Sequence, residues 1–373
     1  MKVAIIGGGI IGLALGWRLA QRGAETTVFE RDAIGRGASY AAAGMLAAGC
    51  EAEPGEQALG VLNRESLALW PDFAAELEAA TGMEVGLRRE GTMLIALNRD
   101  DAAKLRHDME FQKSQGIELE WLTPAEARAR EPYLAPQLAG AVFSPDDIQV
   151  DNRAATAALA EAFRRAGGVL REQTPVQRIE TDGSRARGVV TAEGVHAADV
   201  VVLAAGAWSA GFDLPVPLPP VRPIKGQMLS VQMDPEIPLL RHVIWAPRAY
   251  LVPRRSGLLV IGATVEERGF DGAMTAGGLY SLLDGAWRAL PGIEELTVVE
   301  TWVGFRPGSR DDAPVLGPSA LPGLMFCTGH HRNGILLTPV TAAAMAATIL
   351  EQRLDPRIAP FGIGRFARVR SAA

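Results

Sequence analysis

A chain that opens Lys2-Val3-Ala4-Ile5-Ile6 and passes at once into Gly7-Gly8-Gly9-Ile10-Ile11-Gly12 has few folds open to it. The opening residues read as a short apolar strand. An apolar helical run, Leu13 to Gln21, follows and is closed by Gly23. A second strand, Thr26-Thr27-Val28-Phe29, then ends on Glu30, eighteen residues after Gly12. Strand, glycine turn, helix, strand and terminal acid make a complete βαβ dinucleotide fingerprint. Gly7 permits the tight turn, Gly9 lets backbone approach a pyrophosphate, and Gly12 lets the helix pack close to the strand. The helix N-terminus favours negative charge. Glu30 can accept hydrogen bonds from both hydroxyls of an adenosine ribose, and it would repel a 2′-phosphate.

Three consecutive glycines interrupt the apolar start, so no secretory leader is expected. No apolar run reaches the length that spans a bilayer, and a cytoplasmic location without a membrane partner is expected. The net charge is −6 and no basic run appears, which argues against nucleic acid as a partner. Cys50 and Cys327 lie far apart and suggest neither a disulfide framework nor a zinc site. At 373 residues the length allows about two domains.

The middle of the chain indicates which dinucleotide. Arg153 to Ala166 is an amphipathic helix pattern, followed by a strand at Val169 to Glu172 and then by Thr174-Pro175-Val176-Gln177-Arg178-Ile179. Two alternating strands come next, Gly188 to Ala192 and Gly194 to Ala197. They lead into Asp199-Val200-Val201-Val202-Leu203-Ala204-Ala205-Gly206, a buried strand that ends in small residues. A nicotinamide-only Rossmann domain would continue with further βα units. An antiparallel insertion before a strand ending Ala-Ala-Gly resembles the glutathione-reductase-like FAD-binding domain, where small residues suit close approach to a flat ligand.

A third element has the same bearing. The strand Leu324-Met325-Phe326-Cys327-Thr328 runs into Gly329-His330-His331-Arg332-Asn333-Gly334, and a helix is expected from Ile335 to Gln352 with Pro339 near its start. A glycine-bounded turn feeding a helix start favours the charge that a reduced flavin carries near N1 and the C2 carbonyl. His330 and His331 are adjacent and point in different directions, with no third ligand nearby. They are read as shaping this turn, and no metal is expected.

Several motifs together carry a family resemblance. The fingerprint, Ala41-Ala42-Ala43-Gly44-Met45, Tyr250-Leu251-Val252-Pro253-Arg254, Gly304-Phe305-Arg306-Pro307-Gly308 and Gly329-His330-His331-Arg332-Asn333-Gly334-Ile335-Leu336-Leu337 occur in consistent order over nearly the whole chain. The sequence resembles the glycine-oxidase, thiazole-biosynthesis branch of the D-amino-acid oxidase family of flavoenzymes. That resemblance implies an α/β fold in which a glutathione-reductase-like, FAD-binding Rossmann domain interleaves with a mixed-sheet substrate domain. The flavin domain would take residues 1–81, 146–214 and 301–373, and the substrate domain 82–145 and 215–300. Strand patterns at Gly91 to Leu97, Met228 to Gln232, Ala249 to Val252 and Leu258 to Ile261 are compatible with this. Pro215, Pro217, Pro219 and Pro220 suggest a stiff crossover.

Oxidising an amino acid at Cα needs orientation and electrostatics more than a general base. Arg306 matches the family's carboxylate anchor, a role suited to a planar guanidinium. Tyr250, one of four tyrosines, would add a second bond to the carboxylate. Arg332 matches an arginine near flavin and substrate, and Met45 a residue near the flavin face. The resemblance also implies cofactor contacts at Gly7, Gly9, Ile10, Ile11, Gly12, Glu30, Arg31, Ser39, Ala43, Gly44, Met45, Val176, Ala205, Gly206 and Trp208. Further contacts are implied at His331, Arg332, Asn333, Gly334, Ile335 and Leu336.

Two departures bear on substrate. Val265 stands where a methionine lines the substrate pocket in the best-known glycine oxidases, and Arg248 where a histidine is frequent. The smaller wall suggests admission of D-alanine, sarcosine or N-ethylglycine. Arg248 either favours acidic substrates or faces solvent. No cysteine stands in Arg306 to Asp311 to link a flavin, so FAD is expected to be non-covalent. The activity implied is oxidation of glycine or a small amine to an imino acid, then a 2-oxo acid and ammonia, with molecular oxygen giving hydrogen peroxide. The alternative is a quinone-coupled D-amino-acid dehydrogenase or cyanide-forming glycine dehydrogenase. A homotetramer is implied by the same resemblance.

Overall fold

The computed structural model describes residues 1–367. Its first sheet has six strands in the spatial order Val315–Pro318, Leu324–Thr328, Val200–Leu203, Lys2–Ile6, Glu25–Phe29 and Val169–Arg171. All neighbours run parallel except the edge pair Val315–Pro318 and Leu324–Thr328. Near-continuous burial of Val3 to Ile6 and Val200 to Leu203 follows from coverage of both sheet faces. One face carries the helices Ile10–Gln21, Gln57–Thr81, Asn152–Arg165 and Thr338–Glu351 around a core containing Trp17, Trp70 and Phe163. Against the other lies a three-stranded antiparallel sheet, Arg178–Thr181, Ala186–Thr191 and Gly194–Ala197, packed through Ile179, Val189 and Phe326.

The first strand has neighbours on both sides that the chain reaches in opposite directions. A crevice opens at the carboxyl ends of such strands. Here Ile6, Phe29 and Leu203 end side by side, which brings Gly7, Glu30 and Ala204 together.

The second sheet has eight strands: Thr297–Gly308, Arg222–Gln232, Leu258–Gly262, Tyr250–Pro253, Val243–Trp245, Thr92–Ala96, Gly140–Ser144 and Glu120–Leu122. It is antiparallel except where Val243–Trp245 meets Thr92–Ala96, so it is mixed. Helices Pro124–Arg130 and Ala276–Ala289 share a core with one face through Ala127, Leu282 and Ala286. The other face sets Met228, Val252, Val260 and Trp302 against Ala41 and Ala43 of the first half. There the Trp302 indole donates to the Ala41 carbonyl at 3.1 Å.

Two sequence expectations need correction. A boundary at residue 301 would cut Thr297–Gly308, which stays paired with Arg222–Gln232 as far as Gly308. The chain therefore returns to the first sheet only after Gly308. The helix expected from Ile335 begins instead at Thr338, after a 3₁₀ turn at His331–Asn333. Pro339 lacks the N–H that a ladder running from Ile335 would need, so regular helix starts with proline in its first turn.

Candidate active site

The crevice widens into a cavity of about 1600 Å³ between the two sheets. The fingerprint loop is its floor on one side. Gly7 has φ +115°, and a Cβ there would overlap the Ala204 carbonyl oxygen, so the turn requires glycine. The Glu30 carboxylate accepts from the Gly8 amide at 2.8 Å and the Asp32 amide at 3.0 Å. Ser39 closes the helix start by accepting from the Ile10 amide at 2.9 Å. At the far lip the Arg31 guanidinium lies 3.8 Å from the Trp208 ring centre.

Every expected site residue borders this one cavity except Gly12. A Cβ on Gly12 would overlap the Gly7 carbonyl oxygen, so its place is in helix–strand packing, away from the ligand space. The cavity is thus bordered by Gly7, Gly9, Ile10, Ile11, Glu30, Arg31 and Ser39, by Ala43, Gly44, Met45 and Val176, and by Ala205, Gly206 and Trp208. His331 to Leu336, Tyr250 and Arg306 complete it.

The eight-stranded sheet contributes the groups opposite. Arg306 pairs with Ile224 across the ladder and donates from its guanidinium to the Thr264 carbonyl at 3.1 Å. The Tyr250 hydroxyl lies 3.2 Å from the Met228 sulfur. Burial pushes its pKa up, against a smaller downward pull from the Arg306 charge, so it keeps its proton and can donate at neutral pH. Met45 is held by the Trp245 indole, whose N–H meets its sulfur at 3.1 Å.

Arg332 does not stand alone. Its guanidinium contacts Glu56 at 2.8 Å and Glu51 at 3.3 Å, with Glu53 at 3.9 Å. These acids come from the loop after Met45, which the buried Asp147 fastens by accepting from the Gly49 and Cys50 amides, each at 2.7 Å. Burial pushes Glu51 up to about 7, with Arg332 pulling the other way. The two histidines are neutral at pH 7. Burial pushes His330 down to about 3 and His331 down to about 4, the latter despite Asp312 at 3.3 Å.

Glu51, Asp147 and Arg254 are the site residues that the sequence reading passes over. Arg254 is buried and donates to four oxygens, those of Gln149, Val150, Ala43 and Asn152. It thereby braces the turn at Gly44, which has φ +73° and lies against the Val150 carbonyl. Isolated acids and a strand-end arginine carry no spacing signal. The two substrate-side departures lie at the rim. Val265 is 72 % exposed where the chain leaves the sheet after Gly262, and Arg248 is exposed beside Asp284 at 3.5 Å.

Two outcomes follow directly. Glu30→Ala removes the acceptor that shapes the fingerprint loop and should raise the dissociation constant for a bound dinucleotide about 10- to 100-fold, read by ultrafiltration. Glu51 predicts a pH effect. Below about 7 it is protonated and leaves the Arg306 and Arg332 charges less compensated. Binding of a simple carboxylate such as acetate should therefore be tighter at pH 6 than at pH 8, and Glu51→Gln should flatten that dependence.

An acid-terminated fingerprint, positive-φ glycine, and small-residue strand end around one long cavity fit FAD. An opposing sheet that presents an arginine and a protonated tyrosine to the same space completes the arrangement. Fold and site together define a flavin-dependent oxidoreductase. Residues 2–348 match the sequence profile of the DAO family, FAD dependent oxidoreductase, and the chain belongs to that family. A glycine oxidase from Geobacillus kaustophilus is 39% identical over 97% of this chain and 96% of its own. The crystal structure of glycine oxidase from that organism superposes with a TM-score of 0.90 at 38% identity, over 98% of this chain and 99% of the other. A bifunctional protein ThiO/ThiG from Trichormus variabilis is 38% identical over 98% of this chain, which spans 55% of that longer protein.

Proposed function

We propose that this enzyme is an FAD-dependent amino acid oxidase that converts glycine, and other small amines such as sarcosine or D-alanine, to the imino acid. Hydrolysis then gives the 2-oxo acid and ammonia, or methylamine where sarcosine is the substrate, and oxygen is reduced to hydrogen peroxide. The observation that carries this reading is that Arg306 and Tyr250 face the same cavity as the fingerprint loop. Bound FAD, held by the fingerprint loop, the Ala43–Met45 turn and the His331–Leu336 segment, supplies the two-electron acceptor. Arg306 offers two parallel N–H groups to the substrate carboxylate, and Tyr250 donates a third bond. Fixing the carboxylate fixes Cα, which is the main demand of the chemistry. Met45, Trp245 and Ala246 are apolar wall groups that displace water from the space beside it. With both histidines neutral, the positive field is that of Arg306, together with whatever Arg332 retains beside its three glutamates.

The exposed place of Val265 supports admission of amines larger than glycine, because a short side chain at the rim restricts little. Cys50 and Cys327 are buried, and burial pushes both thiols up, which supports a non-covalent flavin. The relatives' names support a place in assembly of the thiamine thiazole. We also propose a cytoplasmic homotetramer that acts without nucleic acid or membrane. Among the described residues no helix is long and apolar enough to cross a membrane.

The test is anaerobic mixing of the yellow protein with glycine, sarcosine and D-alanine, followed by air. Loss of flavin absorbance with glycine, then rapid recovery with peroxide, is the expected result. Recovery only with a quinone would make the enzyme a dehydrogenase. Retained colour with all three amines would overturn the small-amino-acid reading.

A further inference from the structure

Between the strand Leu258–Gly262 and the helix Ala276–Ala289 the chain leaves the sheet and crosses the cavity rim as residues 263–275. Two side chains of the neighbouring strand hold this segment, and both are fully buried: Lys225 and Gln227. The Lys225 ammonium donates to the Ala273 carbonyl at 2.7 Å and to Asp271 at 3.2 Å. Gln227 receives the Thr275 amide at 2.8 Å and donates to Glu266 at 2.7 Å and to the Thr275 hydroxyl at 3.0 Å. A buried lysine is costly unless its protons are used, and here they hold the far part of a loop whose near end, Thr264 and Glu266, is bridged to the same strand by backbone bonds.

The segment in turn touches both ends of the cavity. Its Thr264 carbonyl accepts from Arg306 at 3.1 Å. The Thr264 hydroxyl accepts from the Gln227 backbone N–H at 2.9 Å and donates to Glu266 at 2.6 Å. Further along, Phe270 stacks on Trp208 with ring centres 4.9 Å apart and planes 14° apart. Trp208 is the ring that carries Arg31 at the dinucleotide end.

We infer that Lys225 and Gln227 are positioning residues that set the Arg306 guanidinium through segment 263–275, and that the Phe270–Trp208 stack ties this setting to the dinucleotide end of the cavity. The inference rests on reading Arg306 as the carboxylate anchor. Neither residue needs to touch substrate. Each acts by fixing where the Thr264 carbonyl lies, and hence which way the Arg306 fork points.

The test uses holoenzyme and acetate as the probe carboxylate, titrated by its perturbation of the flavin spectrum. It compares wild type with Lys225→Met, Asp271→Ala and Arg306→Ala. Asp271 is partly exposed, so its loss removes a partner of Lys225 without opening the core. Trypsin cleavage after Arg268, an exposed arginine within the segment, reports how firmly the segment is held. Lys225→Met should raise the acetate dissociation constant and the glycine KM about tenfold while kcat changes less than about twofold, a displacement effect rather than a chemical one. Asp271→Ala should give about a third of that effect, and both should be nicked faster at Arg268. Acetate should slow nicking in the wild type and fail to do so in the variants. The inference is overturned if Asp271→Ala is nicked faster yet binds acetate as tightly as wild type, or if its nicking is unchanged. That variant decides the matter even where Lys225→Met does not fold. If Arg306→Ala itself binds acetate as wild type does, the anchor reading fails, which is a separate result.

Discussion

Arg306→Ala is expected to lower kcat/KM for glycine by about 100- to 10,000-fold while leaving flavin content unchanged. The magnitude follows from the bonds removed. A carboxylate gripped by a guanidinium makes two charge-assisted hydrogen bonds, each worth about 1.5–3 kcal/mol when shielded from water. Fold and cofactor should survive, because the protein partner of the guanidinium is a single carbonyl, that of Thr264 at 3.1 Å. The loss should appear chiefly in KM, with a smaller fall in the anaerobic rate of flavin reduction as Cα loses its fixed attitude. Arg306→Lys keeps the charge but not the fork and should recover only part of the loss. A change in kcat/KM of less than about threefold would remove Arg306 from the site and return the carboxylate to Arg332 or Tyr250.

Much of the cofactor half of the site is legible in the sequence because its signals are local. The strand, the glycine turn and Glu30 lie within one βαβ unit, and backbone geometry fixes their relation. Leu324–Thr328 is likewise legible end to end, since an apolar run bounded by glycine reads the same in any context. Elsewhere tertiary pairing overrides local pattern. Sequence marks a strand only from Met228, since Pro223 and Gly226 look like breakers. The ladder nevertheless begins at Arg222, with Pro223 opposite Pro307 and Gly226 opposite Gly304. Two segments that each read as broken satisfy one another across the sheet.

Long-range anchoring is the part that sequence does not disclose. Glu51 becomes a titrating group near neutrality because it is buried on a loop that Asp147, distant in sequence, fastens, and this outweighs the opposite pull of Arg332, which arrives from the other end of the chain. Val265 and Arg248 lie at positions whose identity is legible and whose exposure is not. Both stand at the rim because the chain departs from the sheet after Gly262 and because Arg248 turns toward Asp284.

The largest effect on stability should come from Arg254→Met. Arg254 is 8 % exposed and donates at 2.7 to 3.0 Å to the carbonyls of Ala43 and Val150 and the side-chain oxygens of Gln149 and Asn152. Burial lowers its pKa to about 10, which still leaves it charged at neutral pH. Methionine replaces the apolar stem but is shorter and supplies no proton, so four buried acceptors lose their donor at once. Each unsatisfied group costs about 1–3 kcal/mol, moderated where water can enter from the cavity. A net loss of about 3–5 kcal/mol and a fall in Tm on the order of 10 °C are expected. The consequence is local as well as global. Arg254 spans the Ala43–Gly44 turn and the strand pair Met45–Leu46 with Ile148–Gln149, so its removal frees the wall that carries Met45. Flavin should then be released at lower denaturant concentration than the loss of helix signal, whereas in the wild type the two transitions coincide. Arg254→Lys should rescue little, since one ammonium cannot serve acceptors arranged on both sides of a planar fork. Coincident transitions and a Tm within about 2 °C of wild type would show that water replaces the guanidinium without cost, and that the turn is held by Gly44 and its neighbours alone.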